Sequence, residues 1–407
     1  MRGGYWRLLA LALFVAGLLL HQLPLLLVAL LLALVRLVTR LWERFCLARV
    51  EYRRRLSASR VFFGEEIQRE VEVANRKPLP LPWIEIEEEV PSEVTFLKGS
   101  TSPSYKMGRM VLTNLVSLGW YHRVKRRYPI RCLRRGCFTF GPTRIRSGDL
   151  FGFVKREMEI NEVDYLMVYP KIVPLEKLGI PSRQPLGDIR TRHLFEDPVL
   201  TLGVRDYHFG DSLKRIHWKT TARTGQLKTK LFEPTTTVDL GIFLDVRTMR
   251  PPAWGTITEL MELGIITAAS LASHALGAGY RVGLYINQRQ RFSDQAVRMA
   301  PSQHPDQLLH ILEALAQINT SIETMPMARL VLGEGRNLPW GSTMVVITAT
   351  PTDALYSSLV RMKRAGRSVA LIVVGGQPPG GRDGLPVYHI PGEVVWNALE
   401  MLPLKGE

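Results

Sequence analysis

One long apolar stretch dominates the beginning of the chain. From Leu8 to Val35 the sequence is almost wholly apolar, and only the His-Gln-Leu-Pro segment at residues 21–24 interrupts it. This run is too long for a buried core helix and is typical of membrane segments. Two layouts fit it: a hairpin of two short spans turning at residues 21–24, or one tilted span kinked at Pro24. We favour the hairpin and assign residues 1–45 to it.

The charges beside the apolar stretch predict its orientation. Residues 1–60 hold ten arginines against two glutamates, a net charge of +8. Basic residues stay on the cytoplasmic side of a membrane, and in either layout they hold the carboxyl-terminal side inside. No small-x-small cleavage site ends the first apolar run, which disfavours a cleaved signal peptide. We therefore predict a plasma-membrane protein with two spans, the lipid bilayer as one partner, and the bulk of the chain in the cytoplasm.

Residues 46–165 change to the alternating pattern of β-strands. Segments such as Gln68–Ala74 and Trp83–Glu89 alternate apolar and polar residues, with turn-forming clusters between them. In the second segment Ile84 and Ile86 fall on one face and the acidic side chains on the other. One face should be buried and the other solvated, which predicts an all-β sandwich.

From residue 238 to residue 407 short apolar runs alternate with helical segments. This order predicts an α/β domain with a mainly parallel sheet covered on both faces. Ligands of such sheets sit beyond the carboxyl ends of the strands, so Asp245, Asn287 and Thr348–Thr350 are the positions to inspect. The runs that give the pattern are Val238–Leu244, Val282–Ile286, Met344–Ile347 and Val369–Val374 as strands, and Ile257–Leu276, Leu308–Ile318, Asp353–Ala365 and Val394–Met401 as helices.

The formal net charge of the 407-residue chain is +16. A strongly basic chain can bind nucleic acid, and Arg123–Arg135, beside Trp120 and Tyr121, is the one candidate patch. The excess is concentrated beside the membrane segment and at residues 120–160, with eleven basic residues against three acidic ones. This distribution fits an anionic cytoplasmic leaflet better than nucleic acid, so we predict no nucleic-acid partner.

The three cysteines form neither an even disulfide framework nor a metal-binding pattern. Cys132 and Cys137 are close in sequence, but no second pair completes a zinc site. We interpret all three, including Cys46, as reduced thiols, with a redox pair of Cys132 and Cys137 across a turn as the alternative.

Charged, aromatic and hydroxyl residues are densest between Val204 and Pro234, within a linking segment at residues 166–237. Asp211 precedes apolar helical positions and is predicted to cap a short helix that Gly225 ends. The following Gln226–Glu233 segment alternates and predicts a strand.

Two interpretations of this segment remain open. In the first, its polar side chains form an exposed face that binds a ligand or a partner. In the second, they form an internal network in which arginines satisfy Asp206 and Asp211 and Trp218 stacks on an arginine, locking two domains together. The residues concerned are Arg205, Asp206, Tyr207, Gly210, Asp211, Arg215, His217, Trp218 and Arg223.

The same segment resembles the signature of the domain of unknown function 58 family. The matching positions are Arg205, Tyr207, Gly210, Asp211, Arg215, Ile216, Trp218, Ala222, Arg223, Thr224 and Gly225. Upstream, the Arg-Arg-Gly at 134–136, the Phe-Gly-Pro at 140–142 and the Asp-Leu-Phe-Gly at 149–152 are similar to further family elements, with Leu150 where the family usually has proline. The resemblance implies a von Willebrand factor A-like domain and a MoxR-type AAA+ ATPase as the partner.

A von Willebrand factor A-like domain implies a metal-binding D-x-S-x-S motif after its first strand. Asp245 occupies the first position, but Arg247 and Met249 replace the two serines. A thioether is not a ligand for magnesium, and a guanidinium beside the ion repels it. We predict no metal at Asp245, which we expect to pair with Arg247 or to cap the next helix, and no cofactor elsewhere.

The sequence contains no nucleotide-binding loop and no pattern for covalent catalysis. The prediction is therefore a non-enzymatic, membrane-anchored adaptor or scaffold that binds a protein. The alternative is a hydrolase with Asp206, Asp211 and His217 as acid and base groups. Against it, the nearby basic residues would hold both carboxylates ionised and make them poor general acids.

Overall fold

The computed structural model describes residues 3–149, 155–175, 195–208, 216–235, 238–249, 256–289, 296–319, 325–339, 341–376 and 384–392. The chain divides into two compact units, Met1–Tyr169 and Pro170–Glu407. The first unit contains the amino-terminal helices and a domain of β-sheets. The second contains a two-stranded hairpin and a mixed α/β region with a mostly parallel sheet.

Two apolar helices begin the first unit, α1 at Gly3–Leu19 and α2 at Leu23–Phe45. The chain turns between them at the predicted position, where His21 has a positive φ of 48°. Pro24 lies in the first turn of α2, where its missing N–H costs no hydrogen bond, so it begins a helix instead of kinking one. By length and composition α2 can cross a membrane, and only 11% of its most apolar window is buried.

Twelve strands among the described residues of the first unit form three sheets. Their orders are β1-β3-β8-β5, β11-β10-β4-β7-β6 and β2-β12-β9. The structure thus confirms a domain of β-sheets here. The strands are β1 Val50–Leu56, β2 Arg60–Val61, β3 Glu66–Asn75, β4 Leu81–Pro91, β5 Thr95–Phe96, β6 Ser100–Pro103, β7 Arg109–Leu118, β8 Arg123–Arg131, β9 Gly136–Phe140, β10 Thr143–Gly148, β11 Lys155–Ile160 and β12 Asp164–Val168.

The three sheets share one hydrophobic core. In β4, Ile84, Ile86 and Val90 are fully buried, whereas Glu85 and Glu87 lie on the more accessible face. The predicted alternation of β4 is therefore confirmed. Residues from β3, β7, β8, β10 and β12 complete this core, and the cysteines Cys46 and Cys132 within it are free thiols.

A buried ion cluster crosses the sheets of this domain. Arg69 of β3 is fully buried, and its guanidinium donates to Glu88 of β4 and, at 2.6 Å, to Asp164 of β12. Arg54 of β1 lies 3.1 Å from the same Asp164 carboxylate. Glu88 belongs to the acidic part of β4, but it occupies the inner face and is 1% exposed. The acidic run of β4 is therefore not solvated throughout.

The α/β region of the second unit is built on a six-stranded sheet of order β17-β16-β15-β18-β19-β20, in which β17 alone is antiparallel to its neighbour. Its elements are β15 Asp239–Leu244, α4 Thr258–Gly277, β16 Arg281–Arg289, β17 Ala296–Ser302, α5 Gln307–Ala316, α6 Met327–Asn337, β18 Thr343–Thr348, α7 Asp353–Arg364, β19 Ser368–Val374 and β20 Val387–Ile390.

Most of these elements match the predicted runs, and α6, β17 and β20 are additions. Helix α4 is also long and apolar enough to cross a membrane, but 67% of its apolar window is buried, as in a core helix. The predicted mostly parallel sheet is confirmed by the parallel pairing of β15, β16, β18, β19 and β20. The helix predicted at Val394–Met401 lies outside the described residues.

Candidate functional site

The signature segment folds as a hairpin that carries a short helix. Strand β13, Phe195–Asp206, pairs antiparallel with β14, Lys228–Thr235, and α3, Trp218–Thr224, lies in the connection between them. The alternating pattern predicted a strand at Gln226–Glu233, and β14 confirms it within two residues at each end. Asp206 stands opposite Lys228 in the hairpin, and Arg205 stands opposite Thr229.

Helix α3 is capped by a histidine, which corrects the predicted cap at Asp211. The helix begins at Trp218, and Nδ1 of His217 accepts the backbone N–H of Thr220 at 3.1 Å. Ile216, which the prediction placed inside the helix, instead forms an isolated β-bridge with Thr229. The predicted end is right: Gly225 adopts φ +67°, and its N–H bonds to the carbonyl of Thr221.

Hydrogen bonds fix α3 onto the hairpin. The backbone N–H of His217 donates to the carbonyl of Lys228 at 2.8 Å, and the N–H of Lys228 donates to the Thr221 hydroxyl at 3.1 Å. Ile216 and Thr229, which form the bridge, are both buried. The orientation of α3 is therefore set by a buried bridge and by backbone hydrogen bonds, so its outward side chains are presented from a defined position.

The partner of Asp206 is a lysine, not one of the predicted arginines. The ammonium of Lys228 donates to the Asp206 carboxylate across the hairpin and lowers the pKa of that carboxyl. The Arg205 guanidinium donates at 3.2 Å to the backbone carbonyl of Asp206 rather than to its carboxylate. The pair depends on the register of β13 against β14, in which the two residues stand opposite each other and share a face, and the sequence does not give that register.

Four of the predicted site residues are exposed on this hairpin: Arg205, Asp206, Trp218 and Arg223. The Trp218 side chain is 67% exposed although it is a large aromatic residue. Tyr207 and His217 are half-buried, and the N–H of Tyr207 bonds to the carbonyl of Leu227 at 3.0 Å. Gly210, Asp211 and Arg215 lie outside the described residues.

The contacts of Asp206 and His217 bear directly on acid–base chemistry. Because a backbone N–H can only donate, Nδ1 of His217 is the acceptor, and the proton of the neutral ring is on Nε2. Asp206, with its lowered pKa, is held ionised by Lys228 and cannot act as a general acid near neutral pH. The described members of the hydrolase alternative thus have contacts that stabilise the hairpin.

A second cluster lies at the carboxyl edge of the parallel sheet. Asp245 follows β15, Asn287 lies in β16 and Thr348 ends β18, and all three are buried. Nδ2 of Asn287 donates to Oδ1 of Asp245 at 2.6 Å, and the Thr348 hydroxyl donates to Oδ2 at 3.0 Å. The structure therefore brings together these positions, which the alternation of elements had singled out.

The immediate surroundings of Asp245 do not fit a metal ion. Both carboxylate oxygens receive hydrogen-bond donors, because the backbone N–H of Arg247 also bonds to Oδ1 at 3.1 Å. Burial raises the pKa of the Asp245 carboxyl, so it disfavours the ionised carboxylate that a metal ion would need as a ligand. Among the described residues no group of three histidine, cysteine, aspartate or glutamate side chains could hold a metal.

One of the two roles expected for Asp245 needs correction. Asp245 does bond to Arg247, through the backbone N–H of that residue, but it does not cap the next helix, because the N-cap position of α4 is Ile257. The carboxylate joins the ends of three adjacent strands instead. This role could not be derived from the sequence, since it depends on the register of β15, β16 and β18.

Comparison with known proteins finds a family match in this part of the chain. Residues 203–336 match a family described as protein of unknown function DUF58. An uncharacterized protein of Bacillus subtilis (strain 168), YeaD, is 24% identical over 201 residues, which are 47% of this chain and 46% of YeaD. The match thus spans about half the length of that relative.

Solved structures resemble a smaller part of the chain. The CARDB domain of a Pyrococcus furiosus protein is 14% identical with a TM-score of 0.20, covering 29% of this chain and 89% of that domain. A cohesin module from a Clostridium perfringens family 33 glycoside hydrolase is 11% identical with a TM-score of 0.21, covering 29% of this chain and 96% of the module. At TM-scores this low the likeness carries no structural argument.

Proposed function

We propose that the protein is a membrane-anchored adaptor whose cytoplasmic α/β region, von Willebrand factor A-like in fold, binds a MoxR-type AAA+ ATPase. The binding surface is the docking face, which we define as Arg205, Asp206, Trp218 and Arg223. The protein itself performs no catalysis in this proposal. It holds the ATPase at the membrane, where the ATPase acts on a further component.

The exposed indole of Trp218 carries the proposal. Exposing a large aromatic side chain costs hydration free energy, and burying it against a partner recovers about 25 cal/mol per Å² of apolar surface. Trp218 is 67% exposed, and Arg205, Asp206 and Arg223 are exposed charged residues of the same hairpin and helix. Tryptophan and arginine are the residue types that dominate the binding free energy of protein interfaces.

The fixed position of α3 supports a protein partner. The cap at His217 and the bridge between Ile216 and Thr229 hold the backbone that carries Trp218 in place before any partner arrives. A preordered backbone avoids the conformational entropy cost of ordering a loop on binding. More of the free energy gained by burying the indole is then available for affinity.

The end of α2 supports a retained anchor instead of a leader that is removed. Cys46, directly after α2, is 1% exposed within the core of the β-domain, and Trp42 packs against the same core. Cleavage at the end of α2 would remove Trp42 from this core. The arginines of α2 favour the cytoplasm for the domain that follows.

In-cell photocrosslinking tests the proposal. A photoreactive amino acid replaces Trp218 in the full-length protein, and a control carries it at Met107, which is fully exposed in the β-domain. We expect an AAA+ ATPase among the proteins crosslinked from position 218 and not from position 107. Recovery of the same proteins from both positions, or of no ATPase from position 218, would overturn the proposal.

A further inference from the structure

The end of α2 is built into the β-domain without a flexible linker. The ammonium of Lys77, in the connection between β3 and β4, is buried and donates to the carbonyl oxygens of Cys46 and, at 2.8 Å, of Ala48. These carbonyls follow the last turn of the helix, where backbone acceptors lack helical partners. The N–H of Arg76 bonds to the carbonyl of Arg49 at 3.0 Å. The helix and the first sheet are therefore joined at several points.

Side chains reinforce this junction. Trp42 and Leu47 pack against the core of the β-domain. The Arg156 guanidinium, from the start of β11, lies 3.3 Å from the carboxylate of Glu43 on α2. One end of the β-domain is thus held at a fixed position relative to α2. If α2 enters a bilayer, the same end of the domain faces that bilayer.

The turn between β7 and β8 lies at this end. The N–H of Tyr121 bonds to the carbonyl of Lys77 at 3.3 Å, so the turn contacts the residue that caps α2. Asn75 holds the turn on its other side, because its Nδ2 donates to the carbonyl of Gly119 at 2.8 Å. The two residues at the tip are Trp120 and Tyr121, which are 69% and 68% exposed.

We propose that Trp120 and Tyr121, the interfacial tip, insert into the headgroup layer of the bilayer that α2 enters. This inference rests on the membrane anchoring in the proposed function. Tryptophan and tyrosine combine an apolar ring with a polar group and concentrate at the membrane–water interface for that reason. The tip gives the β-domain a second attachment beside α2, which fixes its tilt against the membrane.

The alternative ligand for this surface, nucleic acid, requires basic side chains available to phosphates. In β8 these side chains are instead matched by glutamates of the neighbouring strand β3. Lys125 and Arg127 both pair with Glu70. The remaining pairs of this ladder are Arg123 with Glu72 and Arg131 with Glu66. The cationic run after the tip is therefore largely neutralised within its own sheet, which argues against nucleic acid and leaves the two aromatic rings to make the contact with the membrane.

Quenching by brominated lipid tests the interfacial tip. The full-length protein is placed in nanodiscs of phosphatidylcholine and phosphatidylglycerol, with and without bromine on the acyl chains near the headgroup. Because the chain has eight tryptophans, the signal of Trp120 is obtained by subtracting the emission of Trp120→Phe. Met107→Trp adds a matched, exposed tryptophan in the same domain, at the other end of β7 from the tip.

We expect brominated lipid to remove most of the Trp120 emission and to leave the emission added by Met107→Trp unchanged. Trp6 lies in α1, and its quenching in Trp120→Phe reports the anchor separately. If Trp6 is quenched and Trp120 is not, the interfacial tip is wrong and the anchor stands. If nothing is quenched, the anchor fails as well. A Trp120 signal that responds to added single-stranded DNA and not to brominated lipid would make the tip a nucleic-acid surface.

Discussion

Nδ2 of Asn287 donates to Oδ1 of Asp245 at 2.6 Å, and this bond joins two neighbouring parallel strands at their carboxyl ends. The same amide donates to the carbonyl of Met325 at 3.1 Å, and Oδ1 of Asn287 accepts the N–H of Val246 at 3.0 Å. The asparagine thus ties the end of β15 to the segment before α6. Side chains at this sheet edge, where ligands often bind, stabilise the protein's own backbone instead.

Replacing Asp245 should therefore weaken the fold. In Asp245→Asn the N–H₂ must replace Oδ2, where the Thr348 hydroxyl has to reverse its bond, and the two N–H groups at Oδ1 lose a charged acceptor; we expect a cost of about 1–3 kcal/mol. We expect a lower thermal midpoint for the full-length protein in detergent, whereas Asp306→Asn, at an exposed site, should leave it unchanged. Magnesium should not raise the midpoint of the unmodified protein. A magnesium-dependent rise that Asp245→Asn abolishes would contradict this account.

The ion cluster of the β-domain makes a stronger prediction. Glu88→Ala leaves the fully buried Arg69 without one of its two carboxylates, and breaking a buried pair in this way costs about 3–5 kcal/mol. The adjacent Glu87 pairs with Arg146 on the accessible face, so Glu87→Ala should cost less than about 1 kcal/mol. Denaturant titration of both variants checks the order, and equal losses would show that the cluster does not stabilise the domain.

A glycine in the parallel sheet permits close approach of the edge strand. A Cβ on Gly283 would lie 2.6 Å from the carbonyl oxygen of Met299 and 2.8 Å from the nitrogen of Pro301. Both are backbone atoms, so Gly283→Ala should displace β17 and lower the thermal midpoint. A Cβ on Gly277, at the end of α4, meets nothing within 4 Å. Gly277→Ala should be neutral or slightly stabilising, and a larger loss there than at position 283 would disprove this explanation.

The lysine that caps α2 should titrate at an unusual pH. Burial lowers the pKa of Lys77 to about 8. The unfolded chain keeps this proton up to about pH 10.4, so between the two values the unfolded state binds more protons and stability rises with pH. NMR of lysines labelled at Cε should show one signal with a midpoint near pH 8, which Lys77→Met removes. If every lysine titrates above pH 10, the ammonium is not buried at this junction.

The sequence predicted those features that local patterns determine. Alternation in β4 and the apolar runs of the parallel sheet predict the correct elements, and the rule for strand ends singles out Asp245 and Thr348, which bond to each other. Long-range pairing was not accessible in this way. The alternation of β4 places Glu88 on the same inner face as Ile84, but it does not give the partner, because Arg69 lies on another sheet.

The capping of α3 shows a second reason for the limits of prediction. Asp211 has a high intrinsic preference for the N-cap position, whereas His217 does not. The bridge to Thr229 keeps Ile216 out of the helix, and the helix therefore starts at Trp218. Tertiary pairing therefore overrode a local preference, and it also set the exposure of Trp218, on which the docking face depends.

Copurification from gently solubilised membranes tests the adaptor function most directly. The full-length protein is compared with Trp218→Ala/Arg223→Ala and with Tyr105→Ala, a control at an 81% exposed site, each with and without ATP. The account predicts that a MoxR-type AAA+ ATPase is retained by the intact protein and the control and lost from the folded double variant. Equal retention by all three proteins, or no ATPase retained by any of them, would contradict it.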